Sequence, residues 1–166
     1  MPQGPAARVT DSVVHPLPPK LMPGPGSMNV MIGFLPAWRG IPAAAAAALQ
    51  AAKQAADITV QVAVAATTAA AGTPGAPVAL AAEQATKAAV LGALGGMISG
   101  MGGMSDIHMC TTPSPVPPHG PGVVIDGSKT VLINNMPACR LGDTLIEPLG
   151  PPNKIVSGQM NVIVGG

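Results

Sequence analysis

Short apolar runs bounded by Gly, Pro, Ser and Asn occupy both ends of the chain, and a long alanine-rich stretch lies between them. Short apolar runs between turn residues are typical of β-strands. The runs are residues 28–32, 123–125, 130–133 and 161–164. This pattern divides the chain into residues 1–40, 41–104 and 105–166. We interpret the two outer parts as one β-rich unit and the middle part as an insertion.

The insertion has the sequence of a helical hairpin. Pro42 stands where a helix can begin, and residues 43–71 are mostly alanine, which has the highest helix propensity. The sequence GTPGAP at 72–77 must interrupt that helix, because it combines two glycines with two prolines. A second helix is predicted from about residue 78 to residue 98.

Charges are scarce in the insertion and occur in pairs. Lys53 and Asp57 are four residues apart, as are Glu83 and Lys87, so each predicted helix can carry one ion pair. Glycines at the same spacing follow in the second helix, where they weaken a helix in water but allow another helix to approach closely. They are Gly92, Gly96 and Gly100. We expect them to form a packing seam.

The insertion is also a candidate for a membrane-spanning segment. A membrane span needs roughly 20 apolar residues. The charge-free stretch after Ala88 is a marginal span, and the first helix is a poor one because alanine is only weakly apolar.

An internal repeat links the two outer parts. The unit is a short strand, a turn and then Pro-Ala-x-Arg, found at residues 5–8, 36–39 and 137–140, and a further strand of this kind ends the sequence. The repeat predicts a small β-structure with pseudo-threefold strand units, in which the chain begins and ends in mid-unit. The alternative is that Pro-Ala recurs by chance in a chain rich in both residues.

Composition and charge exclude several classes of protein. The chain has 166 residues, a formal net charge of +1 and only 9% charged residues, so it lacks the basic surface of a nucleic-acid-binding protein. Its first residues, MPQGPAARVTD, contain no apolar segment of the kind found in Sec signal peptides. Two cysteines are too few for a disulfide framework, so a metal site or a free thiol is the better interpretation.

Residues 105–120 collect the reactive side chains. His108 and Cys110 are two residues apart and therefore project from the same face of an extended strand. A proline-rich segment then separates them from His119. This arrangement suggests three metal ligands that await a fourth. Cys139 lies inside the Pro-Ala-x-Arg repeat, which predicts a packed position outside the metal site.

These motifs carry a family resemblance. The Pro-Ala-Ala-Arg unit, the strand GSKTVLI and the turn at 150–152 resemble the PAAR family, whose members cap the spike of bacterial contractile secretion systems. AARVTDSVVH at 6–15 is similar to the AARxxDxxxH pattern of the prePAAR segment of type VI secretion effectors. The resemblance implies a prePAAR segment at 1–40, a transmembrane-like helical insertion at 41–104 and a PAAR domain at 105–166. The expected fold class is α+β, a conical β-rich tip with an inserted Ala/Gly-rich hairpin.

The resemblance also implies a zinc site. PAAR tips bind one zinc ion, and in the prePAAR group the histidine of that segment completes the site, which here is His15. The implied ligands are His15, His108, Cys110 and His119, a set that suits tetrahedral Zn²⁺ in a closed structural site. The alternative is that these histidines are surface loop residues.

The implied function is delivery. Such a tip docks as one copy per spike on the trimeric VgrG protein. An Eag-family chaperone covers the helices in the bacterial cytoplasm before secretion, the helices enter the inner membrane of the target cell, and a toxin is expected beyond Gly166. The alternative for the helices is an alanine-rich hairpin packed on itself.

An enzyme is the competing class of function. A zinc-dependent hydrolase would use the His/Cys set to activate water, but the loop offers no general-base carboxylate, and four ligands leave no open position. Cys110 as a thiol nucleophile with a histidine base lacks an oxyanion hole nearby. Arg8 with Asp11 and Arg140 with Asp143 are interpreted as ion pairs that fix turns. We therefore expect no catalytic residues.

Overall fold

The computed structural model describes residues 3–14, 20–102, 105–110 and 119–166. These residues form a mixed α+β structure with two long helices, α1 (Ala43–Ala70) and α2 (Ala76–Gly100), and short antiparallel strands. The strands are β1 (Gly4–Ala6), β2 (Met31–Ile32), β3 (Leu35–Pro36), β4 (His108–Cys110), β5 (Gly120–Val124), β6 (Leu132–Ile133), β7 (Met136–Pro137), β8 (Thr144–Ile146), β9 (Asn153–Lys154) and β10 (Gln159–Val164). The predicted α+β class is confirmed.

The helical hairpin is confirmed. Helix α1 begins directly after Pro42, whose backbone is extended, and it ends before Gly72, whose φ of +76° lies in the left-handed region. A proline in the first turn then opens α2. Both ion pairs form as well, Lys53 with Asp57 and Lys87 with Glu83 at 2.5 Å.

The transmembrane character predicted for 41–104 is not found. Neither helix, as far as the structure describes the chain, combines the length and the apolar content that a bilayer crossing requires. The physical reason lies in composition, because alanine and glycine contribute little hydrophobicity and each helix also carries an ion pair.

The prediction that Gly92, Gly96 and Gly100 form a packing seam is wrong. A Cβ atom added at Gly92, Gly96 or Gly100 would meet no atom within 4 Å, so these glycines face open space. Gly95 packs instead, because a Cβ there would lie 3.6 Å from the Pro121 ring. One glycine, not the stripe, allows α2 to lie against the β-structure.

Each Pro-Ala-x-Arg copy begins within a short antiparallel strand pair. In β2–β3, Met31 pairs with Pro36, and in β6–β7, Leu132 pairs with Pro137. The first copy receives its partner strand from the other end of the chain, since Pro5 of β1 pairs with Ile163 of β10. The two ends of the described chain therefore complete one strand pair, as predicted.

The three copies exchange backbone hydrogen bonds in a closed ring. The amide of Ala7 donates to the carbonyl of Cys139 (2.9 Å), Cys139 donates to Trp38 (3.1 Å), and Trp38 donates to Ala7 (2.9 Å). All three side chains are buried in one core cluster. The repeat therefore holds the β-rich unit together through its own backbone, and the outer parts of the chain fold together.

The predicted Arg–Asp pairs form, and a third accompanies them. Arg8 bonds to Asp11 at 3.0 Å and Arg140 to Asp143 at 2.9 Å. Arg39 bonds in the same way to Asp106 at 2.8 Å, although the whole hairpin separates the two residues in sequence. The hairpin is therefore inserted within the second copy, between its arginine and its aspartate.

The hairpin packs on the β-structure through an apolar core. Leu49, Leu94 and Ile98 from the helices are buried with residues that follow or form β5 and β8. Those partners are Val123, Ile146 and Leu149. The buried Lys53 also donates to the carbonyl of Gly150 at 3.0 Å. This contact fixes the loop after β8 beside the candidate site.

Candidate metal centre

A four-stranded antiparallel sheet, in the order β4-β5-β8-β9, builds the candidate site. In β4, His108 lies opposite Gly122 and Cys110 opposite Gly120. His108 and Cys110 are buried, whereas Met109 between them is 43% exposed. The prediction that both reactive side chains leave one face of a strand is confirmed.

Glu147 joins them from the end of β8. Strand β8 pairs with β5 so that Ile146 lies opposite Val123. The next residue, Glu147, thus reaches across Gly122 toward β4, and a Cβ on Gly122 would lie only 2.9 Å from the Cγ of Glu147. The absence of a side chain at Gly122 makes room for the carboxylate.

The three side chains form a compact buried group. Ligand atoms of His108, Cys110 and Glu147 lie within 4.8 Å of one another, the one such group among the described residues. The exposed fractions are 0%, 2% and 1%. Nε2 of His108 is 3.5 Å from Oε1 of Glu147. Imidazole, thiolate and carboxylate are all ligands that proteins use for zinc and related metal ions.

A backbone contact sets the tautomer of His108. Its Nδ1 is 2.9 Å from the carbonyl oxygen of Lys20. A carbonyl can only accept, so Nδ1 carries a proton and donates, and when the ring holds no second proton Nε2 keeps its lone pair. Within the described part of the chain, this buried Nε2 makes no hydrogen bond. An unpaired lone pair in a buried position fits a metal ligand.

His119 contacts the carboxylate. Its Nδ1 donates to Oε2 of Glu147 at 3.0 Å, and Nδ2 of Asn153 donates to the same oxygen at 3.1 Å. The ring of His119 also packs on Gly150, where a Cβ would lie 3.1 Å from the ring carbon Cε1. His119 is therefore part of the site, attached through Glu147.

The fourth predicted ligand, His15, lies outside the described residues, so its place in the site stays a prediction. Cys139 lies in the core, as expected from its place in the repeat. Burial, followed by the nearby Asp143, raises the pKa of its thiol well above the ordinary value. A thiol that stays protonated is a poor metal ligand, which supports leaving Cys139 out of the site.

Sequence reasoning missed Glu147, because it looked for a carboxylate only in the loop. The loop after Cys110 indeed holds no acidic residue, but the sheet brings one from β8. One signal was available in the sequence. Glu147 is a single charge between Ile146 and Pro148 in an otherwise apolar run, and such a charge is seldom buried without a partner.

Comparison with known protein families finds the PAAR motif at residues 116–166. The chain carries a PAAR motif. The match supports a PAAR-domain protein and includes His119, β5, Glu147 and the third Pro-Ala-x-Arg copy. No curated protein and no solved structure matches the chain.

Proposed function

We propose that the chain is the metal-stabilised spike-tip module of a type VI secretion effector. The PAAR motif at residues 116–166 carries this proposal. In the producing bacterium the protein is cytoplasmic before the secretion system exports it, and it delivers a toxin as part of the same effector. The match of residues 6–15 to the prePAAR pattern supports the effector class.

The tip docks on the trimeric VgrG spike through a pseudo-threefold face. Three exposed apolar residues support this, because each pairs with the proline of one repeat copy. They are Met31, Leu132 and Ile163, with exposed fractions of 55%, 56% and 56%. The cyclic hydrogen bonds between the copies relate these positions to one another. A threefold arrangement of similar apolar contacts suits a partner with three identical chains.

The metal proposed for this site is Zn²⁺ in a structural role, and the candidate ligands implied by the resemblance are His15, His108, Cys110 and His119. The burial of His108 and Cys110 supports a structural role, because a catalytic metal needs a position that substrate can reach. A metal ion also compensates for the small apolar core of a tip rich in Gly and Pro. The protein is accordingly proposed to have no enzymatic activity.

The hairpin binds an Eag-family chaperone. Its outer surface supports this, because Ile58, Val62 and Val78 are 62%, 65% and 74% exposed. Exposed apolar residues on both helices of the hairpin favour a protein partner. Insertion into the target membrane is not part of the proposal, because neither described helix is apolar enough to cross a bilayer.

Co-purification with VgrG tests the docking proposal. A charge at the exposed Leu132, introduced as Leu132→Asp, places an unpaired carboxylate in an apolar interface. We expect it to abolish co-purification, whereas the matched variant Val62→Asp on the exposed face of α1 keeps full binding. Thermal melts of both variants control for folding. Unchanged VgrG binding by a folded Leu132→Asp variant would show that the proposed face is not the docking surface.

A zinc-dependent hydrolase remains the second candidate, because Glu147 supplies a carboxylate beside the ligands. Such an enzyme must bind water at the metal and admit a substrate. The burial of His108, Cys110 and Glu147 argues against this function. Metal-dependent hydrolysis of generic ester or phosphoester substrates that disappears in Glu147→Gln would favour the enzyme.

A further inference from the structure

We propose that Glu147 is itself a ligand of the metal ion and that His119 is a positioning residue, which holds the carboxylate in place. This inference rests on the proposed metal site and changes its ligand set. It assigns the metal to Nε2 of His108, Sγ of Cys110 and Oε1 of Glu147, the atoms that the sheet brings together.

The first argument is the juxtaposition of two acceptors. The Lys20 carbonyl fixes the proton of His108 on Nδ1, so Nε2 presents a lone pair. That lone pair faces Oε1 of Glu147 at 3.5 Å in a fully buried position. Two electron-rich atoms this close repel each other at low dielectric unless a positive charge, either a metal ion or a proton, lies between or beside them. A metal ion next to the thiol of Cys110 would be within reach of both atoms.

The second argument is that the two carboxylate oxygens of Glu147 have different contacts. Oε2 accepts hydrogen bonds from His119 at 3.0 Å and from Asn153 at 3.1 Å. These two donors fix the plane of the carboxylate and leave Oε1 turned toward His108. Carboxylate ligands of metals are commonly held in this way by neighbouring donors. His119 donates its Nδ1–H to Oε2 and thereby helps to hold Oε1 toward His108, which is the positioning role proposed for it.

The third argument comes from the repeat. In the second copy the aspartate that pairs with the arginine is Asp106, and Cys110 follows four residues later. In the third copy the corresponding aspartate is Asp143, and Glu147 also follows four residues later. Cys110 and Glu147 thus occupy equivalent positions in two copies that are joined by cyclic hydrogen bonds. The two equivalent positions place both side chains in the same buried group.

Cobalt substitution combined with X-ray absorption tests the assignment on the full chain. Co²⁺ and Zn²⁺ are titrated into wild type and into Glu147→Gln, His119→Ala and Cys110→Ser. We expect Cys110→Ser to lose the sulfur-to-cobalt charge-transfer band. We expect Glu147→Gln to weaken metal binding by more than about 100-fold and His119→Ala by about 10-fold to 100-fold, as for an outer partner of a ligand.

The number of imidazole ligands shows whether His119 is a metal ligand or a positioning residue. If Glu147 is the ligand, His119→Ala keeps the wild-type imidazole count, and the wild-type spectrum requires an oxygen ligand at about 2.0–2.2 Å. If His119→Ala loses one imidazole while Glu147→Gln leaves the coordination unchanged, the inference is overturned and the His/Cys zinc site of the proposed function stands. These X-ray absorption counts on the wild-type protein remain decisive even if a variant does not fold.

Metal binding and VgrG binding are tested separately. A protein that binds no metal, with His108 protonated and ion-paired to Glu147, overturns this inference and the metal part of the proposed function together. VgrG co-purification is measured independently, so it reports on the spike-tip role in either case.

Discussion

Gly122 shows at the scale of one residue how the β-structure makes room for the site. It lies opposite His108, and a Cβ there would approach the Cδ2 of Leu145 to 2.6 Å and the Cγ of Glu147 to 2.9 Å. Contacts this short between carbon atoms are strongly repulsive, so any side chain at residue 122 must displace its neighbours.

We predict that Gly122→Ala lowers metal affinity and stability together. The added methyl group pushes Glu147 away from His108, and overpacking of this kind typically costs about 1–3 kcal/mol. Zinc titration and thermal unfolding of the purified chain measure the two effects.

Gly92→Ala is the matched control. A Cβ at this exposed helical position would meet nothing within 4 Å. Alanine should therefore stabilise α2 by about 0.5–1 kcal/mol and leave zinc binding unchanged. Equal zinc affinity in Gly122→Ala and wild type would mean that Glu147 does not depend on the space above Gly122.

Residue spacing predicted only the local half of the site. The alternation of a strand is a short-range property, so His108 and Cys110 could be placed on one face from their spacing alone. Glu147 arrives through the pairing of β8 with β5, which depends on contacts distant in sequence. Nothing in the spacing of residues 105–120 reveals that pairing.

At the scale of the element, the helices were predictable because alanine propensity and the breaks at Pro42 and 72–77 are local signals. The face of α2 that packs on the β-structure was not predictable. The glycine stripe was expected to be the seam, yet the buried residues of α2 are Glu83, Val90, Leu94, Gly95 and Ile98. Packing is decided by where the β-structure presents Val123 and Ile146, which a helical pattern alone does not contain.

We predict that Leu49→Ala loosens the hairpin from the β-structure. Leu49 is fully buried in the core shared with Val123, and truncation of a buried leucine costs about 2–5 kcal/mol. Urea unfolding followed by circular dichroism at the helix band measures the loss. Trp38, the one tryptophan, is buried in the neighbouring core and reports on the β-structure by fluorescence.

The control for Leu49→Ala is Val62→Ala, at a position of α1 that is 65% exposed. We expect this change to alter stability by less than about 0.5 kcal/mol. A Leu49→Ala variant as stable as Val62→Ala would contradict the packing of the hairpin on the β-structure.

At the scale of the whole molecule, one hydrogen-bond pattern locates the insertion. In the first and third copies the backbone amide just before the aspartate donates to the carbonyl of a buried apolar residue, Thr10 to Leu21 at 3.0 Å and Gly142 to Ile155 at 2.8 Å. In the second copy Ile41 donates to Val124 at 2.9 Å. Ile41 is therefore the counterpart of Thr10 and Gly142, and its own aspartate is Asp106. The sequence shows the Pro-Ala-Trp-Arg start of this copy but not its aspartate, because the hairpin separates the two.

We predict that deletion of residues 42–105, which joins Ile41 directly to Asp106, leaves a folded tip that still binds zinc and VgrG. The deletion restores the spacing found in Arg8-Val9-Thr10-Asp11. It also exposes Val123, Ile146 and Leu149, each of which loses on the order of 1.5–3 kcal/mol of burial. The variant should therefore melt at a lower temperature than the full chain.

Adding Val123→Thr and Ile146→Thr should recover solubility, because threonine keeps the strand preference without the apolar surface. Zinc content, thermal melting and VgrG co-purification are the measurements. A folded, zinc-loaded deletion variant that no longer binds VgrG would identify the hairpin as the docking element, in place of the strand pairs of the repeat.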